Sequence, residues 1–148
     1  MARSPISFRL QGERALERKL KLLPQAIIKK ELRKAVNKAA TPIVKRAKQL
    51  VTRRSGLLKK SIAKKVKTYS SGKVVAIIGS RREVAGFVDG KPHRPAYIAH
   101  LVEEGHGGPR PAPPYPFLRP AFEATVRQSL NVMKESLTAS ILAIALKK

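Results

Sequence analysis

The stretch of sequence that decides the fold is residues 97–122, YIAHLVEEGHGGPRPAPPYPFLRPAF. Its first part is apolar and ends at Gly105, a residue type that commonly stops a helix. Its middle part, residues 105–116, can be neither a helix interior nor a central strand, because proline lacks an amide donor and fixes φ. Its last part, from Phe117, leads into a long helix. The stretch therefore predicts an extended, exposed, polyproline-like arm between two packed anchors.

A long terminal helix is predicted over residues 120–146. Its apolar residues recur every three or four positions and form a nearly strict heptad seam: Phe122, Val126, Leu130, Met133, Leu137, Ile141 and Ile144. We expect this seam to pack on the rest of the domain. The alternative is that the last turns of the helix, where the stripe widens, dock onto another subunit.

Another long helix is predicted over residues 25–51, from an apolar stripe at the same spacing. Pro42 is expected to kink this helix or to restart it, with Thr41 as the N-cap of the second part. Upstream, alternating apolar and polar residues predict a strand at 6–10, and a short amphipathic helix is predicted at 13–23.

The middle of the chain reads as β-structure followed by a short helix. Residues 62–69 and 73–79 predict an antiparallel hairpin, in which the second strand is buried and Lys64, Lys65 and Lys67 face outward. Residues 81–95 predict a loop with a small hairpin at Asp89-Gly90, and residues 95–104 a helix. The prediction is one α+β domain over residues 1–148, with a small antiparallel sheet packed against two long helices.

The charge of the chain is its strongest compositional feature. Lys and Arg number 32 against 9 Asp and Glu, a net charge of +23. Residues 1–73 hold 22 of the basic residues and 3 of the acidic ones. Such a field attracts phosphate backbones and acidic protein surfaces alike, so both kinds of partner stay open. The predicted contacts with a polyanion or acidic partner are Lys29, Lys30, Arg33, Lys34, Lys45, Arg46, Arg53, Arg54, Lys59, Lys60, Lys64 and Lys65.

Catalytic and metal-binding patterns do not emerge from the sequence. The chain has no cysteine, and its histidines are His93, His100 and His106. His100 and His106 lie at a spacing that does not bring them onto one helix face with Glu103. Adjacent glutamates such as Glu103 and Glu104 diverge on a helix, so they do not form an acid–base pair. We expect no enzyme activity, no metal and no cofactor, and the apolar runs are too short for a membrane span.

The arm is expected to contact a neighbouring subunit or another protein. A stiff segment loses less conformational entropy when it docks, and Tyr115 has a hydroxyl suited to a partly wet interface. Phe117 and Leu118 are expected to turn inward and start the terminal helix, and Arg119 to cap loop carbonyls or to pair with Glu103 or Glu104. The full set of predicted partner contacts is Tyr97, Glu103, Glu104, Tyr115, Phe117 and Arg119.

Two motifs carry a family resemblance. Residues 54–62, RSGLLKKSI, and the combination of Glu104-Gly105 with the later PFLRPA of residues 116–121 resemble the neck or tail-completion proteins of long-tailed phages. The chain departs from that pattern where Gly105 is followed by His106 instead of Thr, and in a longer segment at 81–95. The resemblance implies a structural virion protein, assembled in the host cytoplasm into a hexameric or dodecameric ring at the head–tail junction. Its implied partners are other neck, portal-side and tail-tube proteins.

The alternative function is a sequence-independent DNA-binding protein that acts through its basic surface. Any DNA contact would be to the phosphate backbone, because only 5% of the residues are aromatic and no nucleic-acid-binding motif is present. Self-association distinguishes the two functions: a neck protein forms rings or engages tail partners, whereas a DNA-binding protein binds duplex as a monomer or dimer.

Overall fold

A computed structural model describes residues 24–51 and 56–145 of the chain. In chain order these residues form α1 Gln25–Leu50, α2 Leu57–Ser61, β1 Ile62–Thr68, β2 Val74–Ser80, β3 Gly86–Val88, β4 Lys91–His93, α3 Pro95–Glu104 and α4 Leu118–Ala145. The predicted α+β class is confirmed. The strand predicted at residues 6–10, the helix predicted at 13–23, and Arg53 and Arg54 lie outside the described residues.

The long helices α1 and α4 pack against each other along their lengths. The buried residues of the two helices are mostly small: Ala35, Ala40, Ile43 and Ala47 in α1, and Ala121, Thr125, Ser129 and Leu137 in α4. Small side chains allow two helix axes to approach closely. The predicted seam of α4 is covered in part: Leu137 is buried and the other members are half-buried. The most buried positions in the first half of α4 form an adjacent line of smaller residues, Ala121, Thr125 and Ser129.

Helix α1 continues through Pro42. The predicted restart at this residue is wrong, and Thr41 is not an N-cap: its hydroxyl Oγ1 donates to the carbonyl of Asn37, 3.3 Å away and one turn back. Threonine hydroxyls in helix interiors commonly bond to the preceding turn in this way. Packing against α4 and the sheet thus outweighs the local tendency of proline to end the helix.

Strands β1 and β2 form the predicted antiparallel hairpin, with Val66 opposite Ala76. Its turn is closed by hydrogen bonds from the amide of Tyr69 to the carbonyl of Lys73 (2.8 Å) and from the amide of Gly72 to the carbonyl of Tyr69 (3.0 Å). Helix α1 packs against both strands. The prediction that β2 is buried is wrong, because successive side chains point to opposite faces and Ile77 is 45% exposed.

The second hairpin, β3 with β4, also follows the prediction. Its turn residues Asp89 and Gly90 have φ of 51° and 73°, the left-handed values that a tight hairpin turn requires. The hairpin leads directly into α3, which begins at Pro95 as predicted. Proline suits this first position because its missing amide would have no partner inside the helix.

The hydrophobic core lies where α1 ends and α4 begins. It consists of Ala47, Val51, Leu58, Ile62, Phe117 and Ala121, with Val102 of α3 packed against it. The fully buried Ser61 joins the core to the sheet, since its hydroxyl lies 2.7 Å from the hydroxyl of Ser80 and donates to the carbonyl of Leu58. Leu58, Ser61 and Ile62 belong to the motif of residues 54–62, so its described part stabilises the fold.

Candidate functional site

The start of α4 is held by a carboxylate from another helix. Glu103, in the last turn of α3, accepts hydrogen bonds from the amides of Phe117 (2.8 Å), Leu118 (2.9 Å) and Arg119 (3.0 Å). The first amides of a helix have no partner within the helix, and a negative charge is favourable at that end. Helix α4 has no acidic residue in its own first turn. Glu103 therefore performs from α3 the role that an N-cap usually performs locally.

The arm, residues 105–116, is a closed loop with an extended return. His106 and Ala112 form an antiparallel β-bridge, with N–O distances of 3.0 Å and 2.9 Å. The amide of Tyr115 then donates to the carbonyl of Val102 in α3, 2.8 Å away. The arm is exposed as predicted, but the prediction of one extended polyproline-like segment is wrong. Because the non-proline residues at 106 and 112 keep their amides, they can pair and reverse the chain.

Gly105 is where the arm comes closest to α3. Its φ of 72° and ψ of 173° belong to a region that only glycine adopts readily. A Cβ at this position would lie 2.8 Å from the backbone nitrogen of Pro114 and 2.9 Å from the carbonyl oxygen of Ala112. The helix-stopping role predicted for Gly105 is confirmed, and the residue also makes room for the returning arm.

Two of the predicted partner contacts present aromatic surface. Tyr97 is 59% and Tyr115 57% exposed, whereas Phe117 is 1% exposed. The inward orientation predicted for Phe117 is confirmed, because the side chain lies in the core. Its inclusion among the predicted partner contacts is therefore wrong. Phe87, at 77% exposed on β3, was missed as a candidate because a lone aromatic in a predicted loop gives no sequence signal.

The charged members of the predicted contact set have different roles. The guanidinium of Arg119 pairs with Glu123, with 3.0 Å between Nε and Oε1, and only its backbone amide contacts Glu103. The guanidinium is thus paired within its own helix, and the ion pair predicted between Arg119 and Glu103 is not formed. Glu104 is exposed at the end of α3.

A basic groove of about 560 Å³ lies between α1 and the hairpin. Its lining consists of Lys29, Lys30, Arg33, Lys34, Asn37, Val66 and Thr68. Lys34 pairs with Glu31 at 2.8 Å, and Glu31 also accepts a hydrogen bond from Ser140 of α4 at 2.8 Å. The hydrogen bond from Lys34, followed by that from Ser140, lowers the pKa of Glu31. Of the twelve predicted basic contacts, the structure thus gathers four in one groove.

Lys64 was predicted to face outward, and the structure shows that this prediction is wrong. Its ammonium donates to the carbonyl of Asn37, at 2.5 Å, and to the hydroxyl of Thr41, at 2.6 Å. Strand alternation places Lys64 on the face of β1 that meets α1, while Lys65 and Lys67 are exposed on the other. Burial lowers the pKa of Lys64. This ammonium therefore joins the sheet to α1.

The remaining basic residues of the predicted set are dispersed. Lys45 and Arg46 line a different groove, between α1 and α4, and the guanidinium of Arg46 donates to the amide oxygen of Gln49 at 3.2 Å. Lys59 and Lys60 lie on the short helix α2, and Lys65 on the outer face of β1. The predicted basic surface is therefore several separate surfaces.

The spacing of the histidines does not favour a metal site. Within the described parts of the chain, no group of three or more His, Cys, Asp or Glu residues could hold a metal ion. Nδ1 of His106 lies 3.1 Å from the carbonyl oxygen of Gly107, inside the arm. Over the same residues, no helix combines the length and apolarity needed to cross a membrane.

Comparison with known proteins places the chain in a class of phage proteins. Residues 14–105, well over half of the chain, match a family model described as "Bacteriophage HK97-gp10, putative tail-component". The chain therefore belongs to this HK97-gp10-like family of phage structural proteins, as the resemblance implied. No curated protein and no solved structure matches it significantly. The match ends at Gly105, the first residue of the arm, so the rest of the arm and α4 lie beyond the matched residues.

Proposed function

We propose that this chain joins or completes the phage tail at the head–tail junction, as one subunit of a hexameric or dodecameric ring. Membership of a tail-component family supports a structural role in the virion. In this proposal residues 1–148 act as a single, non-enzymatic domain. Its partners are further copies of itself and the neck, portal-side and tail-tube proteins on either side.

The observation that carries the proposal is the construction of the arm junction, which we define as residues 103–119. Hydrogen bonds hold this segment at the His106–Ala112 bridge, at Tyr115 and at the three amides bound by Glu103. The same segment leaves the Tyr115 side chain 57% exposed. A preorganised loop that presents an aromatic side chain loses little entropy on docking, which suits an assembly contact. Exposed Tyr97, on the adjoining helix α3, is a second aromatic contact in this proposal.

The experiment replaces the outward tyrosine and measures assembly. Tyr115→Ala should leave the isolated chain folded, because the residue is exposed and its backbone amide still donates to Val102. Native mass spectrometry should then show loss of the ring. In a second assay, adding the variant to phage particles assembled without this chain should fail to complete them. Tyr69→Ala is the matched control, since Tyr69 lies at the turn of the first hairpin and is 47% exposed. Normal rings from Tyr115→Ala, or equal loss in both variants, would contradict the proposed contact.

A further inference from the structure

We infer that the basic groove between α1 and the first hairpin is a binding site for the phosphate backbone of duplex DNA. Among the residues that the structure describes, Lys29, Lys30 and Arg33 have no carboxylate within salt-bridge distance, and only Lys34 has one, from Glu31. A concave surface lined by cations of one sign concentrates field lines and attracts a polyanion. The inference goes beyond the proposed function and does not depend on it.

The arrangement of these cations has a cost to the isolated protein. Lys29 and Arg33 are four residues apart on α1, as are Lys30 and Lys34. Like charges at this spacing destabilise a helix. A bound polyanion would remove this repulsion, so the cluster is more favourable in a complex than in the free chain.

The composition of the groove favours a phosphate backbone over an acidic protein. Val66 is the one apolar residue in the lining, and the rest are cationic or neutral polar. Protein–protein interfaces concentrate aromatic and other apolar side chains at their centres and deplete charge there. Interfaces with nucleic acid are more polar and more positively charged. Asn37 and Thr68 add neutral side chains of the kinds that contact phosphate and sugar.

The hairpin gives the groove a second wall. The stem of Lys29 reaches the hairpin turn, since its Cε would lie 4.0 Å from a Cβ placed on Gly72. Lys64 is not part of the proposed site, because its ammonium is bonded to Asn37 and Thr41. The residues expected to bind phosphate are thus Lys29, Lys30 and Arg33, with Lys34 shared between Glu31 and the ligand.

The test compares two full-length variants that lose the same charge. The groove variant carries Lys29→Gln, Lys30→Gln and Arg33→Gln, and the control carries Arg110→Gln, Arg127→Gln and Lys134→Gln, all three exposed and away from the groove. Binding to short duplexes of two unrelated sequences is measured by fluorescence anisotropy between about 50 and 200 mM salt. The logarithm of affinity should fall linearly with the logarithm of salt for the unaltered protein, with equal slopes for both sequences.

The magnitude of this slope should be smaller by about three in the groove variant, close to one for each residue replaced. In the control the slope should decrease clearly less. Equal losses in the two variants would overturn the inference, because total charge would then account for binding. Tighter binding of polyglutamate than of duplex would also overturn it, since the groove would then suit an acidic protein. Ring formation by the groove variant, seen in native mass spectrometry, separates this result from the proposed assembly function.

Discussion

In the arm junction, the carboxylate of Glu103 accepts hydrogen bonds from three backbone amides, whereas in the basic groove three cations have no carboxylate within salt-bridge distance among the described residues. The first region pairs these backbone amides internally. In the second region, the charges of the lysine and arginine side chains face solvent. Internally satisfied polar groups stabilise a fold, while exposed like charges add little to it and attract partners.

This difference separates two kinds of functional residue in one small protein. In the arm junction, the proposed contact surface is presented by a segment that also belongs to the fold, so most substitutions there should lower stability and assembly together. In the basic groove, substitutions should change binding while leaving the fold intact. Stability measurements on the two regions can therefore test whether they differ in this way.

The largest expected effect is from Phe117→Ala. Phe117 is 1% exposed in the centre of the core, and removing a fully buried phenylalanine side chain costs about 3–5 kcal/mol. The free energy of unfolding, measured by urea denaturation, should fall by that amount. Tyr115→Ala, two residues earlier and exposed, should change it by less than about 1 kcal/mol. Similar losses in the two variants would contradict the inward and outward division of the arm junction.

Gly105→Ala should be the next most costly substitution. The alanine would have to adopt a backbone conformation reserved for glycine and would place its Cβ 2.8 Å from the nitrogen of Pro114. Such strain costs on the order of 1–3 kcal/mol. Gly107→Ala is the matched control, because a Cβ on Gly107 meets nothing within 4 Å. Equal urea midpoints for the two variants would show that the arm does not need its close approach to α3.

Glu103→Gln tests the remote cap of α4. Glutamine keeps the size of the side chain but has one acceptor oxygen for three amides, and its own amide group would face a donor. Leaving partly buried donors without partners costs about 1–3 kcal/mol. Glu123→Gln, which breaks the exposed pair with Arg119, should cost below about 1 kcal/mol. Protection of the first amides of α4 from hydrogen exchange should drop in Glu103→Gln alone, and unchanged protection would refute the cap.

Sequence patterns predicted the elements whose signals are local. The periodicity of α1, the Asp89-Gly90 turn and Pro95 at the start of α3 each depend on neighbouring residues, and each is confirmed. Glu103 could not be predicted as a cap by such patterns, because its three donors lie 14 to 16 residues later. The available signal was indirect: α4 begins with no capping side chain of its own, which implies an acceptor from elsewhere.

The arm shows where a compositional argument fails. Its prolines correctly excluded helix and central strand, but they do not decide the path of the residues between them. His106 and Ala112 pair across Pro109 and Pro111, and the chain reverses. Lys64 fails for a related reason: its residue type indicates exposure, whereas its position on β1 places it against α1. Contacts between distant segments decided both cases.

Glu31, which bonds to Lys34 of the basic groove and to Ser140 of α4, gives stability a pH dependence. Its pKa is lowered, mainly by the hydrogen bond from Lys34, so the folded state binds this proton less readily than the unfolded state. The resulting stability is present above the ordinary value of 4.5 and is lost as pH falls through the lowered pKa. Glu31→Gln should cost less than about 1 kcal/mol at neutral pH and should flatten the acid loss of stability. Ser140→Ala should flatten it only partly, and an unaltered acid profile in Glu31→Gln would exclude this contribution.

The smallest expected effect is a gain in stability from Arg33→Gln. Arg33 repels Lys29 one turn earlier on α1, and relieving such a pair should add roughly 0.2–0.5 kcal/mol to the free energy of unfolding. Arg127→Gln on α4 should have the opposite sign, because Glu123 lies four residues before Arg127 and the pair is favourable. Both differences should shrink at high salt, which screens exposed charges. If Arg33→Gln destabilised the chain by more than about 1 kcal/mol, the guanidinium would have to be bonded within the fold, and the groove would be an internal contact like the arm junction instead of a surface for a partner.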